Sequence, residues 1–139
     1  MPDAAPRPNT FRARHRLAHA RQFQAVYGAR MRKARGPITL FALPNGLEHP
    51  RLGLSIGRRC GTAVRRNTIK RRLREAFRLG QHRLPTIERS SGGSAEGYDF
   101  VASASPHEPM SVEEYARAFM ACAAELHREW LKRRRRAES

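Results

Sequence analysis

The sequence predicts an α+β domain, a small two-layer α/β sandwich in which one sheet packs with three helices. Two observations lead to this fold class. Apolar residues alternate along three short segments, as in half-buried strands, and recur at helical spacing along three others. The segments follow one another as helix, two strands, helix, strand, helix, and 139 residues suit one domain.

The first half of the chain supplies one helix and two strands. Apolar spacing predicts a helix over residues 18–29, which lacks a polar capping residue just before it. Residues 28–37 are basic and turn-like. Strands are expected over 38–43 and 51–56, and a further short strand near residue 57 is an alternative to a loop there.

The two faces of the first predicted strand differ in character. Ile38, Leu40 and Ala42 form an apolar face, so Thr39 and Phe41 lie on the opposite one. The second strand has a nearly bare face around Gly53. A strand without side chains lets another group approach its backbone closely.

The second half supplies a basic helix, a strand and a long helix. Thr62 is the expected N-cap of a helix that ends at Leu79. A strand follows over 98–103, and Ser111 and Glu114 form a capping box for the last helix. The predicted organisation is a disordered lead over residues 1–13, one domain over residues 14–131 and a basic tail over residues 132–139. Within the domain, a flexible Ser/Gly linker is expected over residues 81–97.

The charge of the chain is strongly positive. It has 28 Lys and Arg against 12 Asp and Glu, a formal net charge of +16, and all but three of the basic residues are Arg. Such a charge destabilises a compact chain by self-repulsion unless a polyanion binds it. Nucleic acid is the first candidate partner, because guanidinium groups grip phosphate with two hydrogen bonds, and an anionic membrane surface is the second.

The sequence gives no pattern for catalysis or metal binding by the chain itself. The acids are scattered, whereas a metal-dependent nuclease needs them clustered, and the six His residues show no ligand spacing. Cys60 and Cys122 form no CxxC pair, so we expect packing roles in a reducing compartment. Without an apolar run of about 20 residues or a signal-peptide pattern, the expected location is the cytoplasm.

The basic helix carries the most informative charge pattern. Arg66, Lys70 and Arg74 repeat at i, i+4 and i+8, where like charges cost about 0.2–0.5 kcal/mol per pair. Solvated helix faces normally mix signs, yet only Glu75 opposes these cations. Bound phosphates would offset the repulsion, so the pattern predicts nucleic-acid binding.

The residues around this helix resemble a known family. The run over 51–78 is similar to the signature of the bacterial ribonuclease P protein component, whose core pattern is GxAVxRNxxKRxxRExFR. The matching residues are Gly61, Ala63, Val64, Arg66, Asn67, Lys70, Arg71, Arg74, Glu75, Phe77 and Arg78. The first helix, last strand and last helix also resemble the family, so the resemblance covers about residues 14–128.

The resemblance implies a fold and a role. The fold would be like domain 2 of ribosomal protein S5, with a mostly antiparallel sheet of about four strands and a left-handed βαβ crossover. The chain would be the non-catalytic protein subunit of ribonuclease P, an endoribonuclease that hydrolyses the 5′ leader from precursor tRNA. Its partners would be the RNA subunit and precursor tRNA, and Mg²⁺ would be held by the RNA rather than by this chain.

The resemblance also assigns two binding surfaces. The residues expected to bind the RNA subunit are Arg58, Arg59, Arg65, Arg66, Asn67, Lys70, Arg71 and Arg74. A cleft between the first helix and the sheet would hold the single-stranded leader, with Phe23, Tyr27, Thr39 and Phe41 as its lining. Aromatic faces accept any base by stacking, which suits leaders of varied sequence.

The sequence departs from the family pattern at one position, and two alternative functions remain open. Ser105 stands before a proline where the family often has a basic residue, which removes one cation from the expected cleft. A ribosomal or other structural RNA-binding protein would share the basic surface but would not need the aromatic cleft. A protein-only nuclease is disfavoured by the scattered acids.

Overall fold

The computed structural model describes residues 11–138, and its central feature is a four-stranded sheet in the order β1-β2-β6-β3. A two-stranded hairpin, β4-β5, stands apart from that sheet. The helices are α1 (Ala20–Gly28), α2 (Ala63–Gly80) and α3 (Val112–Glu138). The strands are β1 (Arg32–Arg35), β2 (Ile38–Pro44), β3 (Arg51–Ser55), β4 (Ile87–Glu88), β5 (Ala95–Glu96) and β6 (Tyr98–Ala104).

The pairing of the sheet is mostly antiparallel. Strand β2 runs antiparallel to both β1 and β6, whereas β3 runs parallel to β6 and reaches it through α2. The predicted α+β class is therefore confirmed, and the expected βαβ unit is β3-α2-β6. The left-handed sense of that unit stays a prediction of the resemblance.

The main core lies between one face of the sheet and the helices α2 and α3. Ile38, Leu40 and Ala42 are fully buried there, as the alternation along β2 predicts. Phe77 of α2 and Phe119 of α3 meet edge to face in the same core, with ring centroids 6.1 Å apart. The opposite face of the sheet packs against α1 and the segment that precedes it, through a smaller cluster of Leu17, Val26 and Val101.

Several expectations for the connecting segments are wrong. Residues 32–35, predicted as turn, form the edge strand β1. Residues 58–60 form a 3-10 turn instead of a strand. The segment 81–97, predicted as a flexible linker, contains a 3-10 turn and the β4-β5 hairpin.

The structure describes part of each predicted tail. The disordered lead was predicted over 1–13, and residues 1–10 lie outside the described part. Phe11 packs edge to face on Phe77, with centroids 5.5 Å apart, so the ordered domain begins before residue 14. The basic C-terminal tail is helical, because α3 continues to Glu138.

The basic end of α3 is tied to the rest of the fold by two arginines. Arg133 donates to the backbone oxygen of Ala29 at 3.1 Å. Arg134 donates to the backbone oxygen of Glu88 and reaches the carboxylate of Glu96 at 3.2 Å. Glu96 is only 7% exposed and also accepts from the backbone N–H of Gly46 at 2.6 Å. The C-terminal arginines therefore include structural residues.

We expect Arg134→Ala to lower the free energy of unfolding by about 1–3 kcal/mol, because it leaves a buried carboxylate with fewer donors. Urea unfolding of the full chain measures this value. Arg135→Ala is the matched control, since Arg135 is exposed on the same helix. Equal stability of the two variants would contradict the structural role of Arg134.

Among residues 11–138, no helix combines the length and the apolar character that a membrane crossing requires.

Candidate nucleic-acid interface

Helix α2 presents the predicted basic surface. It begins as expected, since the side chain of Thr62 accepts a hydrogen bond from the backbone N–H of Arg65 at 3.2 Å. Ile69, Leu73 and Phe77 bury one stripe of the helix in the main core. The cations at the other positions are thereby held at or near the surface, and the core fixes the direction in which they point.

The predicted RNA-binding residues of α2 divide between two sides of the helix. Arg65 lies on the side of α3, where its guanidinium is 3.3 Å from the carboxylate of Glu108. Arg72 lies on that side too and donates to the backbone oxygen of Met110 at 2.8 Å. Lys70 and Arg74 lie on the opposite side, toward β3 and α1. Arg65 therefore has different neighbours from Lys70 and Arg74.

The residues of the predicted aromatic cleft lie where α1 packs across the second face of the sheet. Phe41, Val101 and Gly53 are neighbours in one cross-strand row of that face. Tyr27 meets Phe41 edge to face, with ring centroids 4.8 Å apart, and Phe23 covers Gly53. The structure therefore brings three of the four predicted cleft residues together along α1, all of them half-buried.

The next row of the sheet is polar and includes the fourth predicted residue. Thr39, Ser103 and Ser55 are cross-strand neighbours on the α1 face. Thr39 and Ser103 also line a depression of about 290 Å³ together with Arg59. Ser103 was missed by the sequence reasoning, although the alternation along β6 places it on the same face as Val101.

Arg59 lies near Ser105, the position at which the family often has a basic residue. Both residues line the depression that contains Thr39. Arg59, which the resemblance assigned to the RNA subunit, thus places a guanidinium group in the depression that Ser105 lines. Arg59 is exposed, so its guanidinium is accessible to a phosphate.

The basic helix and the aromatic cleft meet at one place. Lys70 and Arg74 of α2 line a cavity of about 150 Å³ with Phe23 of α1 and with Phe11 and Arg16. Among the described residues that line it, none is acidic. Burial, and secondly the charge of Arg16, lowers the pKa of the Arg74 guanidinium. An anion here would relieve a repulsion that no neighbouring acid offsets.

Phe11 and Arg16 were not among the predicted site residues. Both precede α1, in a segment that shows no helical or strand periodicity. The guanidinium of Arg16 lies over the Phe11 ring, 4.8 Å from its centroid. The only sequence signal was the match of Arg16-Leu17 to the family's first helix.

We expect Gly53→Ala to lower the free energy of unfolding by about 1–3 kcal/mol. A Cβ at Gly53 would lie 2.6 Å from the Phe23 ring, so that ring would have to move from its packed position. Urea unfolding measures the loss, and near-ultraviolet circular dichroism reports the displaced aromatic rings. Gly57→Ala is the control, because a Cβ at Gly57 meets nothing within 4 Å. Equal unfolding of both variants would show that α1 is not packed on the bare strand.

Within the described part of the chain, no group of three His, Cys, Asp or Glu side chains is placed to hold a metal ion. Cys60 and Cys122 are both buried, and Cys60 donates to the backbone oxygen of Ala104 at 3.3 Å. The packing roles expected for these thiols are confirmed.

Comparison with known proteins identifies the family. The family model for ribonuclease P matches residues 11–136, nearly the whole chain. The chain belongs to the ribonuclease P protein family. The resemblance stated from the residues around α2 is therefore confirmed.

Individual members of the ribonuclease P protein family show the extent of the similarity. The ribonuclease P protein component of Chromobacterium violaceum is 43% identical over 79 residues, which are 56% of this chain and 65% of the relative's length. The match thus spans a little under two thirds of that relative. The RNase P protein of Staphylococcus aureus has a TM-score of 0.59 at 24% identity, over 78% of this chain and 91% of that one. The RNase P protein of Thermotoga maritima gives 0.50 at 28% identity, over 64% and 72%.

Proposed function

We propose that this chain is the protein subunit of a ribonuclease P, which removes the 5′ leader of precursor tRNA by endonucleolytic hydrolysis. Family membership supports the general role. The single observation that carries the proposal is the junction of two surfaces, where Lys70 and Arg74 of the basic helix line the same cavity as Phe23 of the aromatic cleft. A protein that joins a folded RNA to a single strand needs these surfaces to be adjacent.

In this proposal, α2 anchors the chain to the RNA subunit. Arg66 and Arg71 stand with Lys70 and Arg74 on α2, where they can contact successive phosphates. The N-cap and the buried stripe hold the helix rigid before binding. Little conformational entropy is then lost when the phosphates bind.

The cleft binds the leader in the same proposal. Phe23, Tyr27 and Phe41 offer ring faces and edges to bases, while Thr39 and Arg59 offer polar contacts to the sugar-phosphate backbone. Stacking on a ring face does not depend on which base is present. The cleft therefore suits leaders of different sequence.

Catalysis in this proposal belongs to the RNA subunit. Bound Mg²⁺, held by that RNA and the substrate, would supply the hydrolytic chemistry. The role of the chain is to bind and orient the leader and to neutralise phosphates. The cytoplasm, where tRNA precursors are made in bacteria, is the proposed location.

Reconstitution tests the proposal. The full chain, added to a bacterial ribonuclease P RNA at low Mg²⁺, should restore cleavage of precursor tRNA at the mature 5′ end. Cleavage by the purified chain alone, freed of RNA, would instead show a protein-only nuclease. Binding to the RNA without any gain in cleavage would favour a structural RNA-binding protein.

A further inference from the structure

A second and larger cavity, of about 640 Å³, opens at the C-terminal end of α2. It shares no lining residue with the aromatic cleft or with the basic face of α2. Its charged and titratable lining residues are Arg14, His15, Glu48, His49 and His82. The volume is in the range of about 300–1,000 Å³ that is typical of small-molecule sites.

His15 places a buried hydrogen-bond donor in the wall of this cavity. Its side chain is 2% exposed, and its Nδ1 accepts a hydrogen bond from the backbone N–H of Arg12 at 2.9 Å. Because an accepting ring nitrogen carries no proton, the neutral ring carries its proton on Nε2. Within residues 11–138, no group accepts from that Nε2–H. Buried donors are normally satisfied, so an unpaired donor on a residue that lines a cavity points to a ligand.

The surroundings keep the His15 ring neutral and oriented. Burial, and secondly the charge of Arg14, lowers its pKa. Its ring packs edge to face against His49, with centroids 5.6 Å apart, and against Phe77 at 6.5 Å. His49 is fixed in turn, since its Nε2 donates to the backbone oxygen of Arg14 at 3.0 Å. The donor is therefore held in place before any ligand arrives.

The lining offers an anion one exposed cation in addition to the His15 donor. The guanidinium of Arg14 is exposed and has no acidic partner among the described residues. Glu48 is the one acid among the described lining residues. The rings of His49, which is half-buried, and His82, which is exposed, also offer flat faces for a base to pack on. A single phosphate would leave most of the cavity empty.

We infer that this cavity binds the phosphate of a single nucleotide, with the Nε2–H of His15 and the guanidinium of Arg14 as its donors. The nucleotide comes either from a free mononucleotide or from one residue of an RNA strand, since both present the same chemistry. The site is separate from the two surfaces described above. It therefore stands independently of the role proposed for them.

Nitrogen-15 NMR of the imidazole groups in the full chain tests the inference, with AMP as the probe and adenosine as the probe that lacks phosphate. AMP should shift the His15 Nε2 resonance in a saturable way, and adenosine should bind at least ten-fold more weakly. Because the readout is local to His15, general attraction of AMP to a basic chain does not mimic it. No His15 shift, or equal binding of both probes, would overturn the inference.

Arg14→Ala should weaken AMP binding at this resonance at least five-fold. Arg128→Ala is the matched control, since it removes the same charge from an exposed position on α3, and it should leave binding unchanged. Equal losses in both variants would show attraction by net charge alone and would also overturn the inference.

A five-nucleotide oligoadenylate without a terminal phosphate separates the two sources. A His15 shift at lower concentrations of this strand than of AMP assigns the site to RNA. A shift with AMP alone assigns it to a free nucleotide. If neither probe shifts the His15 resonance, the proposed site is wrong, whatever the outcome of the reconstitution described above.

Discussion

Replacing Arg66 and Lys70 together by alanine should weaken binding to a ribonuclease P RNA about a hundred-fold near physiological salt. Each lost contact to a phosphate is worth about 1.5 kcal/mol, and two such losses give a factor of that size. The salt dependence should also become shallower, with the log–log slope reduced by about 2, because two fewer counterions are released. Filter binding over a series of salt concentrations measures both quantities.

The control for this variant removes the same charge from α3. Arg117 and Arg128 are exposed on that helix, and their double alanine variant has the same net charge as the test variant. If binding depends only on total charge, both variants will lose affinity equally. An unchanged salt slope in the Arg66/Lys70 variant would refute docking through α2.

Replacing Phe23 or Phe41 by leucine should weaken binding of precursor tRNA about 5- to 100-fold, while binding of mature tRNA changes little. The ring face that stacks on a base is worth about 1–3 kcal/mol, and leucine retains apolar packing but not the face. Mature tRNA lacks the leader and so does not use the cleft. Affinities of the reconstituted holoenzyme for the two RNAs measure the difference.

Phe119→Leu controls for loss of stability. Phe119 is buried on the other side of the sheet, in the main core, so its replacement perturbs the fold without altering the cleft. It should affect both RNAs alike. Equal loss for precursor and mature tRNA in the Phe23 or Phe41 variants would exclude a leader-specific cleft.

Features determined by neighbours in sequence could be predicted before the structure. The N-cap at Thr62 and the capping box at Ser111 and Glu114 depend on residues three apart, and both are present. The face of Phe41 followed from simple alternation along one strand. These predictions need no knowledge of which segments pair.

Features determined by pairing could not be predicted. Strand β1 has the sequence Arg-Lys-Ala-Arg, with no apolar alternation, and forms because it pairs with β2 at the edge of the sheet. Ion pairs of Lys33 with Glu129 and of Arg35 with Glu125 join it to α3. Neither the strand pairing nor these ion pairs can be recognised from the local sequence.

The candidate site likewise has features that could be predicted from the sequence and features that could not. The alternation along β2 placed Phe41 on the α1 face, but the contact of Phe23 with Gly53 joins segments 30 positions apart and could not be predicted. The placement of Arg65 and Lys70 on opposite sides of α2 could likewise not be predicted, because it depends on where α3 and α1 pack. The roles assigned to these residues stay predictions that the binding experiments test.

The shared cavity at Lys70, Arg74 and Phe23 has a thermodynamic consequence. A phosphate held there by one RNA changes the local potential felt by the other, so the two binding equilibria are linked. The RNA subunit should alter the affinity of the chain for a leader strand, and the leader should alter the affinity for the RNA subunit by the same factor. Assembly with the RNA subunit and recognition of the leader would then be thermodynamically coupled.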